Sequence, residues 1–123
     1  MELAALILVG FVAVEHVYIL VLEMFLWTKP MGRKAFGLSQ EEAEKTKVLA
    51  ANQGLYNGFL AAGLFWGLIH PTHAIGVQFQ LFFLGCVVVA GIYGGLTAKR
   101  SIIFIQAVPA LIALGAVSYA HLL

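Results

Sequence analysis

The chain has 123 residues, 62% of them hydrophobic and only 11% charged, with seven Lys/Arg against six Glu, no Asp, and a formal charge of +1. Ordinary soluble domains carry about 25% charged residues, and the mean hydropathy here is +0.96. This balance excludes a soluble globular domain, a disordered chain and a nucleic-acid binder working through a basic surface; it predicts a single integral membrane domain, with the lipid bilayer as its main partner and room for at most four or five crossings of about 20 residues.

The first span is expected over about residues 3–28, closed by Lys29-Pro30. It does not read as a signal peptide. No basic residue precedes it, it is too long for an h-region, and Glu15, His16 and Glu23 interrupt it. Residues 29–47 form the one substantial polar segment. Within it, Ser39-Gln40-Glu41-Glu42 has the form of a capping box, and Glu41, Glu42 and Glu44 suit the positive end of a helix dipole. A helix is therefore predicted to begin near Gln40 at the surface and to cross the membrane over about 48–69. His70-Pro71-Thr72-His73 is a short turn, with His70, His73 and His121 solvated at the outer surface. The third span is predicted over about 74–98, Lys99-Arg100-Ser101 is the next turn, and the fourth span runs over about 102–121. Pro109 inside it predicts a kink or a freed carbonyl. The fold class is thus all-α, an integral membrane four-helix bundle.

All seven basic residues fall in two loops, Lys29, Arg33, Lys34, Lys45 and Lys47 in the first, Lys99 and Arg100 in the second. The positive-inside rule puts those loops in the cytoplasm and both termini outside. Gly54/Gly58, Gly63/Gly67 and Gly91/Gly95 are GxxxG pairs, which let helices approach closely in lipid. Cys86 is alone in an apolar run, so no intrachain disulfide forms, and it reads as a packing residue.

Several polar residues stand where a bilayer core disfavours them. A charge near the bilayer centre costs about 2.5–3.5 kcal/mol on insertion scales. Glu15 and His16 fall near the midpoint of span one. Glu23 lies nearly two turns beyond His16 on the same face, about 10 Å nearer the cytoplasm at 1.5 Å per residue; Trp27 continues that face, and Tyr18 lies one turn from Glu15. On span two, Asn52, Gln53, Tyr56 and Asn57 form one polar stripe at i, i+4 spacing. Span two runs outward, so Asn52 and Gln53 are expected at the depth of Glu23, and Asn57 at that of Glu15 and His16. Tyr93 and Gln106 reach this depth from the other spans. The expectation is a polar pocket in the cytoplasmic half, its mouth toward residues 29–47. Structural glue between helices is the competing reading, more natural for the carboxamides than for the ionisable trio. Trp27 and Trp66 read most simply as interface anchors. No metal site is expected, because Glu15, His16 and Glu23 lack i, i+4 ligand spacing and have no second His or Cys at their depth; no cofactor is expected either.

The stretches Glu15-His16-Val17-Tyr18-Ile19, Leu22-Glu23-Met24-Phe25-Leu26-Trp27, Phe36-Gly37-Leu38 and Lys47-Val48-Leu49-Ala50-Ala51-Asn52-Gln53-Gly54-Leu55-Tyr56-Asn57-Gly58 resemble a family of small bacterial membrane proteins, domain of unknown function 1304. The resemblance spans essentially the whole chain. It implies a four-span inner-membrane protein and no particular activity.

Three functions compete. A binding or carrier protein would hold a small amphipathic or cationic molecule on Glu15, His16, Tyr18, Glu23, Asn52, Gln53, Tyr56, Asn57, Tyr93 and Gln106, with protonation of Glu or His coupled to binding. A carrier this small would need to form a homo-oligomer. An intramembrane enzyme would use His16, Glu23 or Glu15 as acid and base on a lipid-like substrate, with a carboxamide donating to an oxyanion; no serine-nucleophile motif occurs. A structural or assembly subunit would explain the GxxxG pairs and leave the carboxylates without a reason.

Overall fold

The computed structural model describes residues 2–123. Among the described residues five α-helices follow one another: α1 (Glu2–Met24), α2 (Pro30–Phe36), α3 (Gln40–Ile69), α4 (His73–Thr97) and α5 (Val108–His121). A π-helical turn, Ile103–Ala107, leads into α5. Among the described residues there is no strand. Three stretches among the described residues are long and apolar enough to cross a membrane: Glu2–Met24, His73–Thr97 and Ile103–His121. α3 is 30 residues long but is not one of them; charges fill its first turns, and Asn52, Gln53 and Asn57 follow.

The helix count corrects the expectation of four. The additional helix, α2, lies in the segment read as a loop. Its ends carry clear local chemistry. Pro30 occupies the first turn, where a missing N–H costs nothing. Gly37 takes the left-handed conformation at φ 66°. The Leu38 N–H then donates to the Arg33 carbonyl at 2.9 Å, closing a Schellman turn. α1 also stops earlier than expected, at Met24 rather than near Thr28.

The start of α3 matches the sequence reading. The Glu42 N–H donates to Ser39 Oγ at 3.1 Å, and the Ser39 N–H donates to Glu42 Oε1 at 3.0 Å. This reciprocal box satisfies two helix-end donors and holds the exposed Glu42 carboxyl below its usual range, the backbone N–H of Ser39 being the larger cause.

The chain divides into two compact units. The first comprises residues 1–14 and 60–123. Its core draws on α1 (Val9, Val12), α3 (Leu64), α4 (Leu84, Val87) and α5 (Ala113, Val117), all fully buried. Glycines set the close approaches. A Cβ on Gly67 would meet the Gly76 carbonyl at 2.9 Å and the Gln80 backbone nitrogen at 3.0 Å. Gln80 closes that crossing by donating from Nε2 to the Gly67 carbonyl at 3.0 Å. A Cβ on Gly91 would meet the Ala107 nitrogen at 2.7 Å, so α4 presses on the π turn itself. The turn is also where Pro109 acts. Proline removes one helical donor and clashes with the preceding turn, and the Val108 N–H donates five residues back, to Ile103, rather than four. The kink expected at Pro109 is thus a widened turn.

The second unit comprises residues 15–59: the end of α1, the turn after it, α2, and the first two-thirds of α3. Gly54 and Gly58 seat α3 on α1. A Cβ on Gly54 would lie 2.7 Å from Met24 Cγ and 3.0 Å from Glu23 Cβ. The three GxxxG pairs therefore mark three different crossings, which the sequence alone left undistinguished.

Candidate functional site

The second unit holds Glu15, His16 and Glu23 of α1. His16 is fully buried and Glu23 only 4% exposed. Their seven-residue spacing keeps both on the packed side of the helix, as expected. Glu15 is half-buried, and its Oε1 lies 3.9 Å from His16 Nδ1. Glu15 Oε1 accepts no hydrogen bond among the described residues.

Glu23 does not pair with Asn52, Gln53 or Tyr56. Asn57 Nδ2 donates to Glu23 Oε1 at 2.5 Å. Both side chains are buried, Asn57 at 8% exposure. The depth match drawn from the sequence was displaced by about one turn, and the cause is side-chain direction. Helical side chains lean toward their own N-terminus. On antiparallel helices Glu23 and Asn57 lean toward each other, whereas Glu23 and Asn52 lean apart. Gly54, directly against Glu23, provides the room.

The expected polar stripe on α3 accordingly splits. Asn57 shares the packed side with Ala50 and Gly54, while Asn52, Gln53 and Tyr56 are exposed. Tyr18 is also exposed, at 54%. Tyr93 and Gln106 belong to the other unit; Tyr93 is exposed and Gln106 half-buried in the π turn. The structure thus brings together Glu15 with His16 and Glu23 with Asn57, and turns the remaining second-unit members outward.

Beside Glu23 lies a cavity of about 340 Å³ lined by Met24, Phe25, Trp27, Thr28, Lys47, Val48 and Ala51 as well as Glu23 itself. Its walls are built locally. Trp27 Nε1 donates to Thr46 Oγ1 at 3.0 Å, and Thr46 Oγ1 donates to the Glu42 carbonyl at 2.8 Å. The indole also packs on Phe36 of α2, ring centres 4.8 Å apart. Gly32 allows α2 to approach the backbone of Leu26 and Trp27. The Lys47 ammonium at the cavity is balanced by Glu44 Oε2 at 3.2 Å. Trp27, placed on the His16–Glu23 face by the sequence and read as an interface anchor, is a wall of this cavity. Thr46 and Lys47, both about two turns before Gly54 on α3, were not among the expected site residues.

Chemically the arrangement offers one buried carboxyl, already holding a carboxamide, at the edge of a small aromatic-walled cavity. Cations and amphipathic groups suit such walls. Among the described residues no group of three or more His, Cys, Asp or Glu could hold a metal ion.

Among the described residues these features define an all-α protein with three helices long and apolar enough to cross a membrane and a carboxyl-bearing cavity in the unit of residues 15–59. The chain belongs to the family described as protein of unknown function (DUF1304), whose family model matches residues 10–118. It is 33% identical over 116 residues to the uncharacterized protein YpaA of Lactococcus lactis subsp. lactis (strain IL1403), an alignment covering 93% of this chain and 96% of that protein. No solved structure matches the chain.

Proposed function

We propose that the chain is one four-span domain of the bacterial inner membrane that binds or carries a small amphipathic or cationic molecule at the cavity beside Glu23. α3 is the remaining span, and both termini are outside. The confinement of Lys and Arg to the segments 29–47 and 99–100 supports this orientation. The mouth then faces the cytoplasm.

The observation that carries the binding reading is the Glu23 carboxyl, buried to 4% exposure yet bordering a cavity with aromatic walls. A carboxylate in such a place attracts a cation, and Phe25 and Trp27 offer faces for its apolar part. Lys47 pairs with Glu44 Oε2 at 3.2 Å, which offsets part of its charge at the cavity. A proton on Glu23 would occupy the place of the cation, which couples the two. Glu15 and His16, further along α1, extend the ionisable path.

Trp27 reports on the cavity directly. In a Trp66→Phe background it is the sole tryptophan, since the chain has two. Titration of the purified protein in nanodiscs with tetraphenylphosphonium, a lipophilic cation, is expected to quench Trp27 saturably, and Glu23→Gln is expected to abolish the saturable part. Quenching that is linear, or unchanged by Glu23→Gln, would refute the reading.

A further inference from the structure

The first unit carries a second constellation, remote in sequence from Glu23. His73 is the first residue of α4 and His121 the last of α5. His73 Nε2 and His121 Nδ1 stand 3.2 Å apart. Both backbones are fixed. The Thr72 N–H donates to His70 Nδ1 at 2.9 Å, setting the turn into α4, and the Leu122 N–H donates to the Ser118 carbonyl at 2.8 Å, closing α5. His73 is exposed and His121 half-buried, so the facing nitrogens are reachable from solvent.

The ring geometry is informative. Two imidazole nitrogens on one tetrahedral ion, each at about 2.0 Å, stand about 3.3 Å apart. Rings aligned head to head on a straight N–H···N axis at the observed separation would have centres about 5.4 Å apart, whereas rings converging on a shared ion would have centres about 5.0 Å apart. The observed centres are 4.8 Å apart with the planes at 63°. The rings are therefore tilted off the head-to-head line, and their nitrogens keep the separation of two imidazoles sharing one ion.

We propose that His73 and His121 form a two-histidine site for a divalent transition-metal ion of the imidazole-binding kind, such as zinc or nickel. With the ion bound, both rings are neutral, His73 carrying its proton on Nδ1 and His121 on Nε2. Water fills the other ligand positions, since no third His, Cys, Asp or Glu groups with the pair among the described residues. The ion ties the start of α4 to the end of α5. Imidazole ligation favours nickel and zinc and gives no hold on magnesium or calcium, which require oxygen ligands.

The test uses the full chain without a polyhistidine tag, in detergent, with zinc chloride or nickel chloride alone as the probe. Either salt is expected to raise the thermal midpoint saturably with one ion per chain by isothermal titration, while magnesium and calcium leave it unchanged. His73→Ala and His121→Ala are each expected to abolish the shift, and Cys86→Ser, which removes a potential ligand outside the pair, to retain it. His121→Asn serves as the second variant if His121→Ala does not fold. No saturable binding by the unaltered chain, or an equal shift in the His73 and His121 variants, would overturn the proposal and leave the pair a hydrogen bond only.

Discussion

Replacing Asn57 by Leu is expected to destabilise the protein because of what it leaves behind. The substitution roughly preserves volume on the packed side of α3, so its cost falls on Glu23. That carboxyl is 4% exposed and takes its hydrogen bond from Asn57 at 2.5 Å. A buried polar group left without its partner costs about 1–3 kcal/mol, and a buried charge stripped of its partner about 3–5 kcal/mol. Glu23→Gln keeps an acceptor oxygen for Asn57, so its cost should be smaller, under about 1.5 kcal/mol. Replacing both groups by Leu removes donor and acceptor together and is expected to be nearly neutral. The unaltered chain, Asn57→Leu, Glu23→Leu and the double Leu variant form a double-mutant cycle, read by titrating mixed micelles with denaturing detergent and following helicity. A coupling of about 1–3 kcal/mol is expected. Additivity within about 0.5 kcal/mol would refute the reasoning, because the Glu23–Asn57 bond would then not bear on the α1–α3 crossing.

The glycine crossings, the helix cap and the topology give three further tests. Gly91→Ala is expected to cost about 1–3 kcal/mol, because its Cβ would meet the Ala107 backbone nitrogen at 2.7 Å; Gly115→Ala, with nothing within 4 Å, should gain up to about 1 kcal/mol from helix propensity. Melting of the two variants side by side decides it, and equal midpoints would contradict the packing of α4 on the π turn. Glu42 has its folded-state pKa lowered by Ser39, so its contribution is present above the ordinary carboxylate range and lost as the pH falls through the folded value. Hydrogen exchange at the first turn of α3 should therefore lose protection on acidification in the unaltered chain and less so in Ser39→Ala. Cysteines placed at Arg33 and Lys99 in a Cys86→Ser background should be shielded from an impermeant thiol reagent in intact cells and labelled after lysis. Labelling of either from outside would overturn the four-span orientation.

Much of the fold was legible where local chemistry speaks. Ser39 and Glu42 placed the start of α3 at Gln40, and the turn at His70–Thr72 placed α4 to within a residue. α2 was missed because seven residues carry no apolar period; Pro30 and Gly37 bracket it, and that pair is the signal a reader could use. The overrun of α1 came from apolarity alone, since Phe25-Leu26-Trp27 continues the hydrophobic run while the chain already turns. At the site, helical spacing correctly put His16 and Glu23 on one packed side. It could not supply the partner, because depth counted along Cα positions ignores the lean of each side chain. Nor could composition distinguish Asn57, which faces α1, from Asn52 and Gln53, which do not; the glycine at position 54 decides which part of the stripe meets α1.

The account rests on the carboxyl of Glu23 serving a ligand as well as Asn57. Equilibrium dialysis of radiolabelled tetraphenylphosphonium against the protein in nanodiscs measures this directly, with empty nanodiscs subtracted. The account predicts saturable retention of one cation per chain by the unaltered protein, unchanged by Asn52→Leu on the exposed side of α3 and lost in Glu23→Gln. Retention no greater than that of empty nanodiscs, or equal retention by Glu23→Gln, would contradict it.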